Sequence, residues 1–120
     1  MDSRQDDLSR AFAALADPIR RDIIARLTVG DATVSDLAAP YDVSLQAVSK
    51  HLRVLTDAGL VSRSREAQRR PVHLESEALA VMTTWIERHQ RQAEQRMARL
   101  EEVLGDLPSS DEDTSTGAQP

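Results

Sequence analysis

Residues that start and stop helices follow one another so closely in the middle of this chain that only short helices fit between them. Asp17-Pro18 is typical of an N-cap followed by proline at the first helical position. The segment from Thr33 to Asp36 matches a capping box, and Pro40 ends the helix that this box begins. Ser44 can cap the next helix, and Gly59 stands where a left-handed C-cap is expected. The predicted helices run from residue 18 to just before 30, from 34 to about 39, and from 45 to about 58.

A further helix before these three and a hairpin after them extend the predicted fold. Apolar residues recur at helical spacing from Leu8 to Leu15, behind Asp6-Asp7, which can cap a first helix. The alternating run 61–65 and the segment 72–74 predict a β-hairpin with arginines on one face and at its tip. The two short helices joined by residues 40–43 form a helix-turn-helix candidate, and a hairpin directly after it is the winged arrangement.

The longest predicted helix follows the hairpin. Ser76 can cap it, and it is expected from about residue 77 to 104, with Gly105 and Pro108 marking its end. Apolar residues recur along it at spacings of three or four. Residues 109–120 contain no apolar cluster. The predicted organisation is a flexible N-terminus over 1–7, one mainly α domain with five helices and a small β-hairpin wing over 8–104, and an acidic disordered tail over 105–120.

Length and composition allow one small domain with an aliphatic core. The chain has 120 residues, of which three are aromatic: Phe12, Tyr41 and Trp85. Cysteine is absent, which excludes disulfides, thiolate metal sites and thiol nucleophiles. The three histidines show no metal-ligand spacing, and no catalytic triad or glycine-rich phosphate cradle is recognisable, so we expect no metal, no cofactor and no enzymatic activity. With no long apolar segment and no signal sequence, we expect a cytoplasmic protein without a membrane span.

The charge is distributed unevenly along the chain. The net charge is −5, which by itself argues against a nucleic-acid partner. Residues 44–70, however, carry 6 basic and 2 acidic side chains, whereas residues 1–43 carry 5 and 8, and residues 101–120 carry 6 acids and no base. A basic middle segment between acidic ends is a local footprint, and local charge governs nucleic-acid binding.

The helix predicted from residue 45 has two opposite faces. Its polar side chains are of the types that contact base edges and phosphates in a major groove, namely Gln46, Ser49, Lys50 and Arg53. Its apolar side chains fall on the other side, namely Val48, Leu52 and Leu55. The hairpin adds four arginines suited to phosphates or a minor groove, namely Arg63, Arg65, Arg69 and Arg70. Two readings stay open: a DNA-binding protein, or a winged-helix protein-interaction module that does not bind DNA.

Two segments resemble one known family. ALADPIRRDIIARL, residues 14–27, resembles the second helix of the ArsR-type winged helix-turn-helix regulators, and VSLQAVSKHLRVLTDAGLV, residues 43–61, resembles their recognition helix. The resemblance covers about residues 8–104. It implies a homodimeric transcriptional repressor that is released from a double-stranded DNA operator by an effector. The residues that it would place on DNA are Ser44, Gln46, Ser49, Lys50, His51 and Arg53, with Arg69 and Arg70 on the wing.

The resemblance also implies pairing through the first and last helices. The long last helix and its apolar stripe independently favour a dimer. The candidate dimerisation residues are Leu8, Phe12, Leu15, Met82, Trp85, Ile86, His89, Met97 and Leu100. Metal-sensing members carry paired cysteines in the third helix, where this chain has Val34 to Leu37, so it is more similar to the cysteine-free branch. Release from DNA would then come from an unidentified small organic ligand, from a protein partner, or from a change in protein concentration. A small-molecule effector would sit between the last helices near Trp85.

Overall fold

The computed structural model describes residues 3–64 and 70–106, and within them the predicted five helices and hairpin occur in the predicted order. The elements are α1 (Ser3–Ala14), α2 (Pro18–Leu27), α3 (Val34–Ala38), α4 (Leu45–Asp57), β1 (Val61–Arg63), β2 (Val72–Leu74) and α5 (Ser76–Gly105). The chain forms two compact units, one ending at Thr84 and the other beginning at Trp85, and α5 contributes residues to both.

The predicted caps set the boundaries of α2 and α3. Asp17 Oδ2 accepts hydrogen bonds from the backbone N–H groups of Ile19, at 2.9 Å, and Arg20, at 3.0 Å. The bond from the Arg20 N–H is the main reason that the pKa of Asp17 lies below its usual value. At α3, Thr33 and Asp36 form both halves of the capping box. These local signals are therefore confirmed.

Helix α4 also begins and ends as predicted. The Ser44 hydroxyl oxygen accepts a hydrogen bond from the Ala47 N–H at 3.0 Å, which caps the first turn. Gly59 has a φ of 77°, in the left-handed region that favours glycine. Beyond it the Leu60 N–H reaches back to the Leu55 carbonyl at 3.0 Å, a bond that closes the helix end.

Helix α1 begins at Ser3, earlier than the start expected at Asp6-Asp7. Asp6 lies in its first turn, where a negative charge interacts favourably with the helix dipole, so these acids fit inside the helix rather than before it. The residues expected on an open apolar face of this helix, Leu8, Phe12 and Leu15, are half-buried against the core. Small Ala11 and Ala14 are buried on the same helix and let it approach its neighbours closely.

The core of the first unit is aliphatic, as expected from the few aromatic residues. Its buried members are Ala11, Ala14, Ile23, Ile24, Leu27, Leu37, Val48, Leu52, Leu55, Leu60, Val61, Val72 and Met82. Every described helix of this unit contributes to it, and so do both strands. The core therefore fixes the helix-turn-helix and the base of the hairpin as one packed body.

The hairpin is antiparallel, with Ser62 opposite His73 and Arg63 opposite Val72. Val72 also pairs with Ala32, which precedes α3, through backbone hydrogen bonds of 2.7 and 3.2 Å. The loop end of β2 is thus bonded to the chain that enters α3.

The residues of the second unit are exposed from Trp85 to Asp106. The apolar side chains on this part of α5 include Ile86, Met97 and Leu100, which is half exposed. Such a continuous apolar stripe is unusual on the surface of a soluble monomer. None of the helices in residues 3–64 and 70–106 combines the length and apolar composition needed to cross a membrane.

Candidate nucleic-acid interface

The two faces of α4 divide as the sequence predicts. The polar side chains Gln46, Ser49, Lys50 and Arg53 are all exposed, whereas Val48, Leu52 and Leu55 are buried in the core. Ser44 is exposed as well, and because its hydroxyl oxygen is the acceptor in the cap, its O–H can still donate to another group. The exposed face therefore presents donors and acceptors over three turns of the helix, with the acidic Asp57 only at its far end.

Leu45 is a residue of this surface that the sequence analysis missed. It is 54% exposed, although the helical periodicity assigns it to the apolar side of α4. It is the first residue of the helix, next to Gln46 in the sequence. Apolar side chains at such positions contact the methyl group of thymine in a major groove. Its position as the first residue of the helix was the feature of the sequence that could have indicated its exposure.

Arg26, a residue of α2, contacts α3 and the turn that follows α3. Its guanidinium donates hydrogen bonds of 2.8 Å to the carbonyls of Leu37 and Asp36. It also lies over the Tyr41 ring, 5.9 Å from the centroid, and the Tyr41 hydroxyl donates to Asp22. Burial, together with that bond, raises the pKa of Tyr41. Arg26 thus satisfies carbonyls at the end of the short helix that precedes the turn.

A second arginine of α2 reaches the recognition helix itself. Arg20 donates from Nε to the Ala14 carbonyl at 2.6 Å and from Nη2 to the Ala13 carbonyl at 3.4 Å. Its Nη1 lies 3.3 Å from Nδ1 of His51, whose side chain is 22% exposed. His51 is therefore partly buried at the edge of the polar face, in contact with α2.

Two of the four wing arginines lie within the described residues, and their exposure differs. Arg70 is exposed, whereas Arg63 is half-buried, because it lies on β1 opposite the buried Val72. Arg65 and Arg69 lie outside the described residues. Of the four arginines predicted for the wing, the structure therefore describes one that is open to a partner and one that is partly covered.

An ion pair ties β2 to the segment before α3. His73 Nδ1 lies 2.9 Å from Asp31 Oδ1, and both side chains are about half exposed. Next to it, the Ser62 hydroxyl donates to Glu75 at 2.6 Å. The hydrogen bond to Asp31 is the main reason that the pKa of His73 lies above its ordinary value, with the Asp31 and Glu75 charges adding to it.

This pair should stabilise the fold only over a limited pH range. Because the folded-state pKa of His73 is raised, its contribution is present below the unfolded pKa, about 6.5, and lost as pH rises through the folded value. We expect Asp31→Asn to lower the free energy of unfolding in mildly acidic solution and to match the wild type in alkaline solution, as measured by urea denaturation across pH. Asp42→Asn removes the same charge from an exposed turn residue and should show no such trend. A loss for Asp31→Asn that is independent of pH would contradict this role.

The candidate dimerisation residues have different surroundings. Met82 lies in the core of the first unit, and Leu8, Phe12 and Leu15 are partly covered there. In the second unit Trp85 and His89 stack with their ring centroids 4.1 Å apart, and His89 Nδ1 lies 2.8 Å from the Trp85 carbonyl oxygen. Of the predicted set, the exposed members are Trp85, Ile86, His89, Met97 and Leu100. Residues 3–64 and 70–106 contain no group of three acidic or histidine side chains placed to hold a metal ion.

Comparison with known proteins agrees with this geometry. Residues 15–63 match the family model described as a helix-turn-helix domain. The chain is 40% identical over 97 residues to the HTH-type transcriptional regulator Rv2034 of Mycobacterium tuberculosis, covering 81% of this chain and 91% of that protein. It is 36% identical over 61 residues to the transcriptional repressor SdpR of Bacillus subtilis, covering 51% of this chain and 68% of that protein.

A solved structure matches in fold and in sequence. The crystal structure of RHA00566, an ArsR family transcriptional regulator, superposes with a TM-score of 0.69 at 36% sequence identity. The match covers 73% of this chain and 97% of that one. The shared region therefore includes nearly all of that regulator.

Proposed function

Because this chain belongs to the ArsR family of winged helix-turn-helix transcriptional regulators, we propose that it is a homodimeric repressor whose α4 and hairpin bind an operator in double-stranded DNA. A protein of this family is a DNA-binding regulator. To this general role the proposal adds that the protein is a homodimer, that it represses transcription, and which residues contact DNA. It assigns a binding role without catalysis, in the cytoplasm.

One observation carries the assignment of the surface: the side chains that α4 leaves open from Gln46 to Arg53 include polar and basic groups and no acid. Its first turns hold Gln46 and Ser49, whose amide and hydroxyl groups suit base edges, and Ser44 at the cap. Lys50 and Arg53 on the following turns suit phosphates, as does Arg70 on the hairpin. Arg63, Arg65 and Arg69 are proposed as further wing contacts, and His51 as a contact at the edge.

The dimer and the repressor role have separate support. The exposed apolar stripe on α5 is a surface that a second copy would cover, and twofold symmetry would set two α4 helices about one DNA turn apart. The name of the relative SdpR, a transcriptional repressor, supports repression as the direction of control. A protein bound across an operator can act in this way simply by occupying it.

Mutants should distinguish residues that contact base edges from residues that contact phosphates. Gln46→Ala should cost about 1–3 kcal/mol on the preferred operator and little on random DNA, because it removes a contact to a base edge. Arg70→Ala should weaken both DNAs alike and lower the slope of log Kd against log salt by about one charge. Fluorescence anisotropy on an operator selected from a random pool, with a scrambled duplex as control, measures both. Equal losses on the two DNAs for Gln46→Ala would contradict its role in base reading.

The competing interpretation, a protein-interaction module, is tested by the same titration. Such a module would bind neither duplex at low salt, since it has no use for an aligned polar face and basic hairpin. Salt-dependent binding of the scrambled duplex together with tighter binding of the selected operator would exclude it.

Release from the operator is proposed to follow binding of a small organic effector beside Trp85. This residue is 38% exposed and is stacked on His89, next to the exposed Ile86. Because Trp85 is the only tryptophan of the chain, its fluorescence reports directly on this site. A compound that releases the protein from DNA while leaving Trp85 emission unchanged would contradict the location.

A further inference from the structure

The imidazole of His51 has one hydrogen-bond partner at Nδ1 among the described groups around it. Arg20 Nη1 lies 3.3 Å from that nitrogen, whereas Oδ2 of Asp17 lies 3.9 Å away. A separation of 3.9 Å is too long for a hydrogen bond. The contact with Arg20 therefore determines whether Nδ1 donates or accepts a hydrogen bond.

The chemistry of the two groups fixes the tautomer of His51. A guanidinium has five N–H donors and no acceptor, so Arg20 can only donate and Nδ1 can only accept. A neutral imidazole that accepts at Nδ1 carries its hydrogen at Nε2, on the far side of the ring. The contact thus selects the Nε2–H form.

Arg20 can impose this choice because it is itself held in place. Its Nε donates to the carbonyl of Ala14 at 2.6 Å and its Nη2 approaches the carbonyl of Ala13, both at the end of α1. Its backbone N–H is bonded to the Asp17 carboxylate in the cap of α2. The guanidinium therefore has a fixed orientation, against which the His51 ring on α4 is set.

On the basis of the DNA-binding role of α4 proposed above, we propose that Arg20 is a positioning residue for DNA binding: it holds His51 as the Nε2–H tautomer, which donates its hydrogen to a phosphate oxygen. The donor is uncharged in this form. Its contact therefore adds affinity for DNA without adding to the salt dependence, which follows the number of positive charges on phosphates.

Nitrogen NMR on the full-length protein tests the tautomer directly, without DNA. Long-range proton–nitrogen couplings distinguish the two ring nitrogens, and His51→Ala assigns the signal. We expect an unprotonated Nδ1 in the wild type and a mixture of tautomers in Arg20→Gln. Arg21→Gln is the matched control, because Arg21 is the next residue on α2 and donates to the Leu15 carbonyl without touching His51. It should leave the signal unchanged.

A double-mutant cycle tests whether the tautomer matters for binding to a random-sequence duplex. His51→Ala should lower affinity by about tenfold, the effect of losing one hydrogen bond to a charged group, with an unchanged salt slope. His51→Gln keeps an N–H donor near the Nε2 position and should retain most of the affinity. Beyond the loss seen for Arg21→Gln, Arg20→Gln should weaken binding in the wild type and have no further effect in His51→Ala.

The outcomes separate this role from the proposed function. A hydrogen on Nδ1 in the wild type, or a tautomer unaffected by Arg20→Gln, would overturn the positioning role while DNA binding by α4 stands. Independent, additive losses for Arg20→Gln and His51→Ala would overturn it as well. If Arg20→Gln melts too low to study, Arg20→Lys, which keeps the charge but not the planar fork, is used in the same measurements. A wild type that binds no duplex would overturn both proposals.

Discussion

Replacing Met97 and Leu100 together by glutamate is expected to leave the protein monomeric and to lower its affinity for the selected operator by about a hundredfold or more. Both side chains are about half exposed on the apolar stripe of α5. Charges at the centre of an apolar interface would be desolvated without partners, which opposes association. Once the copies separate, the second recognition helix no longer benefits from the first being bound, so the two half-sites are occupied independently.

The matched control adds the same two charges elsewhere on α5. Gln95→Glu with Ala98→Glu places them on exposed residues away from the stripe, and this variant should stay dimeric. Sedimentation equilibrium at micromolar concentration measures the oligomeric state, and anisotropy measures operator affinity. A wild type that is monomeric under these conditions, or a dimeric Met97/Leu100 variant, would contradict the interface. A monomeric variant with full operator affinity would show that pairing is not needed for binding.

Truncating Leu52 to alanine is expected to lower the free energy of unfolding by about 2–5 kcal/mol. The side chain is 1% exposed and lies in the middle of the core, on the face of α4 opposite Lys50 and Arg53. Its removal loses buried apolar surface and leaves a cavity that the surrounding side chains cannot fully close. For a domain of this size such a loss is a large part of the total stability.

Leu45→Ala provides the comparison within the same helix. The chemical change is identical, but Leu45 is 54% exposed, so the expected cost is below about 1 kcal/mol. Urea unfolding followed by circular dichroism gives both values. If the two variants were destabilised equally, α4 would not be packed through the face that carries Leu52. In the DNA assay we expect the larger loss of affinity for Leu45→Ala at temperatures where both variants are folded, because Leu45 is exposed next to Gln46 whereas Leu52 is buried.

The sequence predicts this fold well where local chemistry decides the outcome. Caps such as Asp17, Ser44 and Gly59 act within one turn of the backbone, so their effect is visible in the order of residues alone. The opposite faces of α4 follow from helical periodicity in the same way. The start of α1 was placed too late because acidic residues stabilise a helix either as caps or within its first turn, and Asp6 does the latter.

Interactions between elements could not be derived from the sequence. Arg20 and Arg26 of α2 donate to the carbonyl ends of α1 and α3. That role depends on where those ends lie in space, which periodicity does not report. The partial burial of Phe12 has the same origin, because it depends on how closely small alanines let α1 approach the core. The division of α5 at Thr84 likewise follows from packing and not from its continuous stripe.

Among the described residues, backbone hydrogen bonds hold the hairpin at both ends of its strands. Val72 pairs with Ala32, the Glu75 N–H donates to the Leu60 carbonyl at 2.8 Å, and the Ser64 N–H donates to the Pro71 carbonyl at 3.1 Å. These bonds hold Ser64 and Pro71, the two ends of the connection, whatever residues lie between them. Doubling the length of such a connection costs only about 0.6 kcal/mol. A longer or different connection would therefore cost the fold little, so the number of basic side chains in it can change while the rest of the chain stays the same.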